Sequence, residues 1–599
     1  MEHSPLELPP TSLLQGSVPR VTLACIQCRS RKVRCDATLP SCNRCLADMK
    51  TCKYQKSRRG GRPRHPAVPP PQDTVENISA TSEQHQRSQL DKISATASLP
   101  LGSNSSDTGT AVISSQSDSN SFVNVSIVDS IVLGGTYLTQ GQIDQLLIKY
   151  YVCFHVAHPC VLPRWSLLLR LTSEPVASDT LLPVLLYIGS IFTDVVDSGP
   201  LAEAASRAVS AARLRPGPLD PYYIQALLLY AIAVYWCNEP RRGRDLLNEV
   251  ICGALTLEMQ RMEFASRYGQ GDPVLQESWR RTWWTIYITD AHIAGSTHSF
   301  PTQSGAVEIT TGLPCEEHKY ESGDISPPAT LRSYGVREFS DMEFSSFAEL
   351  VGLTQGINRA LATQRIGNIE NAKVMAETAD NTMMAWCSLL PASKKKIIRD
   401  DGSVDEHLFK ANILMHAYIV DLHRQLSTLK YFPIESVSKC VPPPPPDSND
   451  AIKEEAHIHT AKVLFSIEKL SSLLTLPTRF SEHTPFIICT ITLMTIAHLS
   501  ACRYIFKEPR ISLEREKIRL KMGVLKMLGE LWPSGKREYH DMGIIAREML
   551  AIEDEEVEIP EMTGLVPPDA LALNFDFDID WNCDSAASSN TVGFMTDAI

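Results

Sequence analysis

Beyond Gly135, apolar residues recur at helical spacing through most of the chain. Twelve segments carry one apolar stripe or more and predict helices: Ile143–Cys153, Thr180–Val195, Tyr222–Trp236, Leu246–Glu258, Glu277–Ile293, Phe344–Leu361, Asn371–Leu389, Leu408–Leu429, Ala451–Leu474, Phe486–Phe506, Leu513–Leu531 and Asp541–Ile552. Period-two alternation, the mark of a half-buried strand, is scarce. The pattern predicts an all-α domain over 136–552, interrupted by a long loop at Ser299–Arg337 and by a linker at Val441–Asp450, where Pro442 to Pro446 exclude helix. The longest apolar stretch, Pro485–Cys502, is about as long as the shortest bilayer span. Thr490, Thr492, Thr495, His498 and Ser500 interrupt it, so it reads as a buried core helix and no membrane partner is expected.

The periodicity is absent between His65 and Gly135. Pro66, the triplet Pro69 to Pro71 and a mixture of Ser, Thr, Asn, Gln and Asp predict a disordered linker. A dimerising coiled coil needs several heptads of apolar a and d positions. Gln84–Leu99 offers little beyond Leu90, Ile93 and Leu99, so monomeric binding and a homodimer formed through the larger domain both stay open. Met1–Gln15 has neither a basic n-region nor an apolar run, so no secretory signal is expected and the thiols should stay reduced.

Composition alters this picture only once the charge is located. The 599 residues carry a formal net charge of −12, which taken whole argues against a polyanion partner. Between Arg20 and Arg64, however, 13 Lys and Arg face only Asp36 and Asp48, a local balance of +11 that leaves −23 for the rest. From Glu553 to Asp584 there are 11 acids and no Lys or Arg. The two ends are therefore suited to different partners.

Six of the 16 cysteines lie in one short window, at Cys25, Cys28, Cys35, Cys42, Cys45 and Cys52. They repeat with an offset of 17, each half reading C-x2-C-x6-C, which implies two half-sites related by a pseudo-twofold axis. A C-x2-C pair lets two thiolates grip one tetrahedral metal. Two zinc ions need eight bonds, and six thiolates supply eight if two of them bridge. Symmetry takes one bridging residue from each half, and Cys25 and Cys42 are the natural pair. Two Zn2+ with six thiolates leave a net −2, which surrounding cations must offset. So short a segment cannot build an apolar core, and metal binding should supply its folding energy. Between two of the ligands, Cys28-Arg-Ser-Arg-Lys-Val-Arg-Cys35 sets Arg29, Arg31, Lys32 and Arg34 on one helical turn, suited to phosphate contact and to reading guanine O6 and N7 in the major groove.

Residues 25–52, with the run CRSRKVRCD and Pro40 between the halves, resemble the fungal zinc binuclear cluster (Zn2Cys6) transcription factors. The resemblance implies two bound zinc ions, bridging by Cys25 and Cys42, and Arg31 and Lys32 facing the bases of double-stranded DNA, typically a CGG triplet. It casts Arg29, Arg34 and Arg44 as phosphate contacts. Glu277-Ser-Trp-Arg-Arg-Thr-Trp-Trp-Thr-Ile-Tyr-Ile-Thr-Asp290 resembles the signature helix of the middle homology region of these factors, and Tyr150-Tyr151 through Phe154-His155 and His158-Pro159 to Trp165 is similar to its opening. At helical spacing Trp279, Trp283, Trp284 and Tyr287 read as core aromatics, and Arg280 and Arg281 as partners of acids at the flank of this helix.

Lys53 to His65 alternates cations with Gly and Pro and predicts an extended basic arm. Gly61-Arg62-Pro63, with Arg58, Arg59 and Arg64 around it, is similar to AT-hook segments that lay Arg in the minor groove, and the same cations suit a nuclear import signal. At the other end, acids interleave with Leu573, Phe575, Phe577, Ile579 and Trp581, the pattern of a disordered activation segment whose aromatics dock on a coactivator. The sequence holds no G-x-x-x-x-G-K-[ST], H-E-x-x-H or G-x-S-x-G, and the pairs His155/His158 and His457/His459 read as structural, so no enzyme is expected.

The reading is thus an all-α chain: a disordered tail at 1–19, a Zn2Cys6 DNA-binding module at 20–53, a basic then Ser/Pro-rich linker at 54–135, a helical regulatory domain at 136–552 and a disordered acidic activation tail at 553–599. It fits a nuclear activator of RNA polymerase II genes, of the kind that controls a secondary-metabolite gene cluster. The rivals are a repressor, or a ligand-sensing regulator of catabolic genes.

Overall fold

The computed structural model describes residues 25–31, 35, 42–48, 50–53, 130–174, 177–362, 369–441 and 455–550. The N-terminal tail, most of the linker, the polyproline run and the acidic tail expected from the sequence lie outside these residues. The chain divides into two units, Met1–Gln116 and Ser117–Ile599.

Among the described residues of the first unit the elements are two five-residue helices, α1 (Ile26–Ser30) and α2 (Asn43–Ala47). Helices this short do not hold themselves in water. The buried residues beside them are Cys25, Cys28, Cys42 and Cys45, so the interior is made of sulfur.

Among the described residues the second unit begins with an antiparallel hairpin that the alternation pattern did not predict, β1 (Ser130–Leu133) and β2 (Thr136–Thr139), with Ser130 opposite Thr139; residues 130–135, expected as the end of the linker, are folded because they pair in this hairpin. Gly134 and Gly135 turn it with φ of +61° and +81°, a two-glycine type I′ geometry. Seventeen helices follow among the described residues. The first eight are α3 (Gln140–Lys149), α4 (Arg164–Ser173), α5 (Leu182–Ser190), α6 (Ser198–Arg213), α7 (Pro221–Trp236), α8 (Pro240–Thr256), α9 (Met262–Tyr268) and α10 (Pro273–Thr297). Then come α11 (Glu317–Ser322), α12 (Leu331–Gly335), α13 (Ser346–Leu361), α14 (Ile369–Leu389), α15 (Glu406–Arg424), α16 (Ala456–Leu473), α17 (Ile487–Tyr504), α18 (Arg510–Leu531) and α19 (Pro533–Leu550).

The two central helices begin alike. Asp220 accepts the Tyr222 amide at 2.7 Å and Asp272 the Val274 amide at 2.8 Å, and each cap is followed by Pro at the first helical position. Every residue of α7 is buried, as expected of a helix that is apolar all round. Neighbouring α8 approaches it at Gly243, where a Cβ would come within 2.6 Å of Tyr235 Cβ. Helix α17 is the one described segment long and apolar enough to cross a membrane, and 72% of that window is buried within the domain.

Helix α10 confirms its sequence reading. Trp279, Trp283, Trp284 and Tyr287 are at most 1% exposed. Arg280 and Arg281 both pair with Glu277, and Arg281, fully buried, also takes Glu317 at 2.7 Å and stacks over the Tyr320 ring at 4.1 Å. Against the penalty of burial, Arg281 and His407 hold the Glu317 carboxyl down at about 2. The segment expected as a long loop therefore forms a wall of the core: it contains α11 and α12, its Gly312 carbonyl accepts the Trp284 indole at 2.8 Å, and its Cys315 amide donates to Glu277 at 2.9 Å. It lacks apolar periodicity because polar contacts to α10 fix it. His158 and His459 are buried and hydrogen-bonded to Thr484 and His423 respectively, in keeping with structural roles.

A candidate dinuclear metal centre and nucleic-acid interface

Helix α2 starts on a ligand. Cys42 is its N-cap, and its sulfur accepts the Cys45 amide at 3.4 Å. Seventeen residues earlier the Cys25 sulfur accepts the Cys28 amide, also at 3.4 Å. The correspondence continues: the Cys35 sulfur takes the Cys25 amide at 3.5 Å, and the Cys52 sulfur takes the Cys42 amide at 3.3 Å. Arg31 N–H reaches Gln27 O at 3.3 Å, and Asp48 N–H reaches Arg44 O at 3.0 Å. The sequence repeat is therefore a repeat of backbone geometry, with each helix closing on a thiol of its own half.

The six sulfurs resolve into two sets of four, Cys25, Cys28, Cys35, Cys42 and Cys25, Cys42, Cys45, Cys52. Both contain Cys25 and Cys42, the pair that symmetry assigns as bridges. Sγ to Sγ distances are 3.7 Å for Cys25 to Cys42, 3.6 Å for Cys25 to Cys45, 3.6 Å for Cys28 to Cys42 and 3.9 Å for Cys28 to Cys45. Tetrahedral zinc with Zn–S near 2.3 Å sets its sulfurs about 3.8 Å apart. All four lie far beyond a disulfide bond; the first three join members of one set and match ligands around a shared ion, whereas Cys28 and Cys45 belong to different sets. Without metal the thiols differ: hydrogen bonds, chiefly from the Cys28 amide, lower Cys25 to about 6, while burial pushes Cys28 up to about 12 and Cys45 higher still. Filling the site therefore displaces protons.

Of the expected DNA contacts, the structure describes the side chains of Arg31 and Arg44. Arg44 is exposed on α2. Arg31 Nη1 donates to Asp48 Oδ2 at 2.5 Å, and both groups remain partly exposed. Arg29 lies on α1, but its side chain, together with Lys32, Arg34, Arg58, Arg59, Arg62 and Arg64, falls outside the described residues, as do Phe575, Phe577, Ile579 and Trp581. The partner that sequence reasoning missed is Asp48. The offset of 17 maps Arg31 onto Asp48, so the repeat itself carried the signal for a contact between equivalent positions of the two halves.

Fold and site together define a zinc-cluster regulator with a separate all-helical domain. Residues 23–61 match the fungal Zn(2)-Cys(6) binuclear cluster domain, which binds two zinc ions, and residues 146–388 match the fungal specific transcription factor domain. The chain is 28% identical over 563 residues to the C6 finger domain transcription factor iacK of Pestalotiopsis fici, covering 89% of this chain and 81% of that protein. Shorter matches join it to the cercosporin biosynthesis regulatory protein of Cercospora beticola (38% identical over 66 residues, 11% of this chain and 17% of the other). They also join it to the transcriptional regulator alnR of Emericella nidulans (42% over 52 residues, 9% and 13%). No solved structure matches the chain. The chain thus carries both the fungal Zn(2)-Cys(6) binuclear cluster domain and the fungal specific transcription factor domain, and along most of its length it is similar to a C6 finger domain transcription factor. The match to that domain ends within α14, whereas the compact unit continues through α19.

Proposed function

We propose that this chain is a nuclear, sequence-specific DNA-binding activator of RNA polymerase II genes, reading a CGG-type triplet through the cluster and controlling a secondary-metabolite gene cluster. The observation that carries the proposal is the pair of four-thiol sets sharing Cys25 and Cys42, built on a helix that leads into the basic run 29–34. All six cysteines serve as ligands in this reading, and the zinc ions supply the cross-links that a segment without an apolar core lacks. The names of the biosynthesis regulator and of the other relatives support the regulatory assignment.

In this mechanism the module at 20–53 docks on DNA, with Lys32 as the principal base-reading cation. Arg31, which pairs with Asp48, faces the bases beside it. Arg29, Arg34 and Arg44 contact phosphates and fix the register. The arm with Arg58, Arg59, Arg62 and Arg64 adds salt-dependent affinity along the linker that precedes β1. The helical domain at 136–552 regulates, and the tail at 553–599 recruits coactivators through Phe575, Phe577, Ile579 and Trp581.

Two measurements bear on this directly. Lys32→Ala should cost about 1–3 kcal/mol on a CGG-containing duplex and almost nothing on a scrambled one. Equal weakening on both duplexes, measured by gel shift at fixed salt, would make Lys32 a phosphate contact. Fused to an unrelated DNA-binding domain, residues 553–599 should raise reporter transcription, and an unchanged or lowered signal would refute the activating role.

A further inference from the structure

A partly open cavity of about 80 Å³ lies between α10, α15 and α17. Its lining is largely apolar, with Phe409, Ile413, Leu414, Phe486, Ile487 and Leu493 among the contributors. Lys410 and His292 also line it, and both line a smaller cavity that shares Phe486 with it.

Lys410 is the unusual member. It is 6% exposed, and its ammonium donates to the Ala157 carbonyl at 2.5 Å. Among the described residues no carboxylate lies within ion-pair distance of it. The two acids whose fields favour its charge are Glu406 and Glu317, and both have spent their oxygens elsewhere. Glu406 takes the His483 ring at 2.5 Å and the Thr484 amide at 3.4 Å, and Glu317 takes Arg281 and His407. A buried ammonium with one neutral acceptor is expensive unless something else pairs with it. Burial holds His292 neutral, at about 3, so it faces the same cavity as a hydrogen-bonding group without charge. At another edge of the cavity Asp421 is already engaged by His298 at 3.1 Å, which leaves no free carboxylate to attract a cation.

We propose that this cavity is a binding site for a small organic anion, a monocarboxylate on an apolar body, whose carboxylate pairs with Lys410 while its body lies against the apolar wall of α15 and α17. The match to the fungal-specific domain includes α10 but ends before α15 and α17, so the wall that would select the body is built by residues beyond it. The proposal does not depend on the DNA-reading assignment, because the binding measurement needs no DNA.

The test uses the full zinc-loaded chain and calorimetric titration with octanoate, dodecanoate and 4-phenylbutyrate, each beside its primary alcohol and below micellar concentrations. At least one acid should bind about tenfold or more tighter than its alcohol. Lys410→Met, similar in length and free of the buried charge, should bring that ratio close to one without altering the circular dichroism spectrum. Ala417→Leu, which fills the cavity, should weaken acid and alcohol together. The proposal is overturned if no acid binds, if acid and alcohol bind alike, or if Lys410→Met keeps the preference.

Discussion

Serine at Cys25 or Cys42 is expected to empty both metal positions, whereas serine at Cys35 or Cys52 should leave about one zinc per chain. The difference follows from membership: Cys25 and Cys42 belong to both four-thiol sets, while Cys28 and Cys35 belong to one set and Cys45 and Cys52 to the other. The two helices are five residues each and, among the described residues, enclose no apolar core, so folding energy has to come from the metal, at about 10–16 kcal/mol for structural zinc sites. Losing a bridging thiolate should therefore unfold the module and abolish specific DNA binding. Losing a terminal one should leave a tetrahedral set intact and a residue of binding. Elemental analysis of zinc per chain, alongside gel shifts, decides it. Equal zinc loss in all four variants would sink the bridging assignment.

In the helical domain the largest loss should come from Glu277→Ala. Glu277 is 1% exposed and holds Arg280, Arg281 and the Cys315 amide together. Its removal strands two buried guanidinium groups, of which Arg281 keeps Glu317 and Arg280 keeps no carboxylate among the described residues. Breaking a buried pair from one side costs about 3–5 kcal/mol. The exposed Glu239, paired with Arg242 at 3.1 Å, is the control, and its replacement should cost about 0–1 kcal/mol. Denaturant unfolding of both variants would reveal the contrast, and a loss below about 1 kcal/mol for Glu277→Ala would show that the network relaxes around the gap.

The zinc module was legible because ligand spacing is a local property: Cys25, Cys28, Cys42 and Cys45 announce the site without any knowledge of tertiary structure. Strongly apolar helices such as α7 and α10 were legible for the same reason. Helix α6 was not, because its buried stripe is Leu201, Ala204, Ala205 and Val209, too small a contrast for periodicity to detect. The chain expected to be helical as far as Leu429 leaves the helix after Arg424, whose guanidinium bonds the Lys430 carbonyl and Glu435 beyond it. The ordered wall at 299–337 escaped notice because long-range polar contacts set its shape. The cavity escaped because Lys410 and His292 are more than a hundred residues apart, and within Leu408–Leu429 a single lysine looks like any polar interruption.

The thiol scaffold of the cluster is nearly symmetric, but the residues carried on it are not. Between its second and third cysteines the first half has Arg29, Arg31, Lys32 and Arg34, and the second half has Leu46, Ala47, Asp48, Met49, Lys50 and Thr51. A twofold frame has no preferred direction of approach, so the polarity with which the module sits on a duplex is encoded in these few side chains alone. Exchanging residues 29–34 with 46–51 would keep the cysteine spacing and the opposed charges of positions 31 and 48, and on the proposed function should reverse the orientation of the module on a cognate duplex.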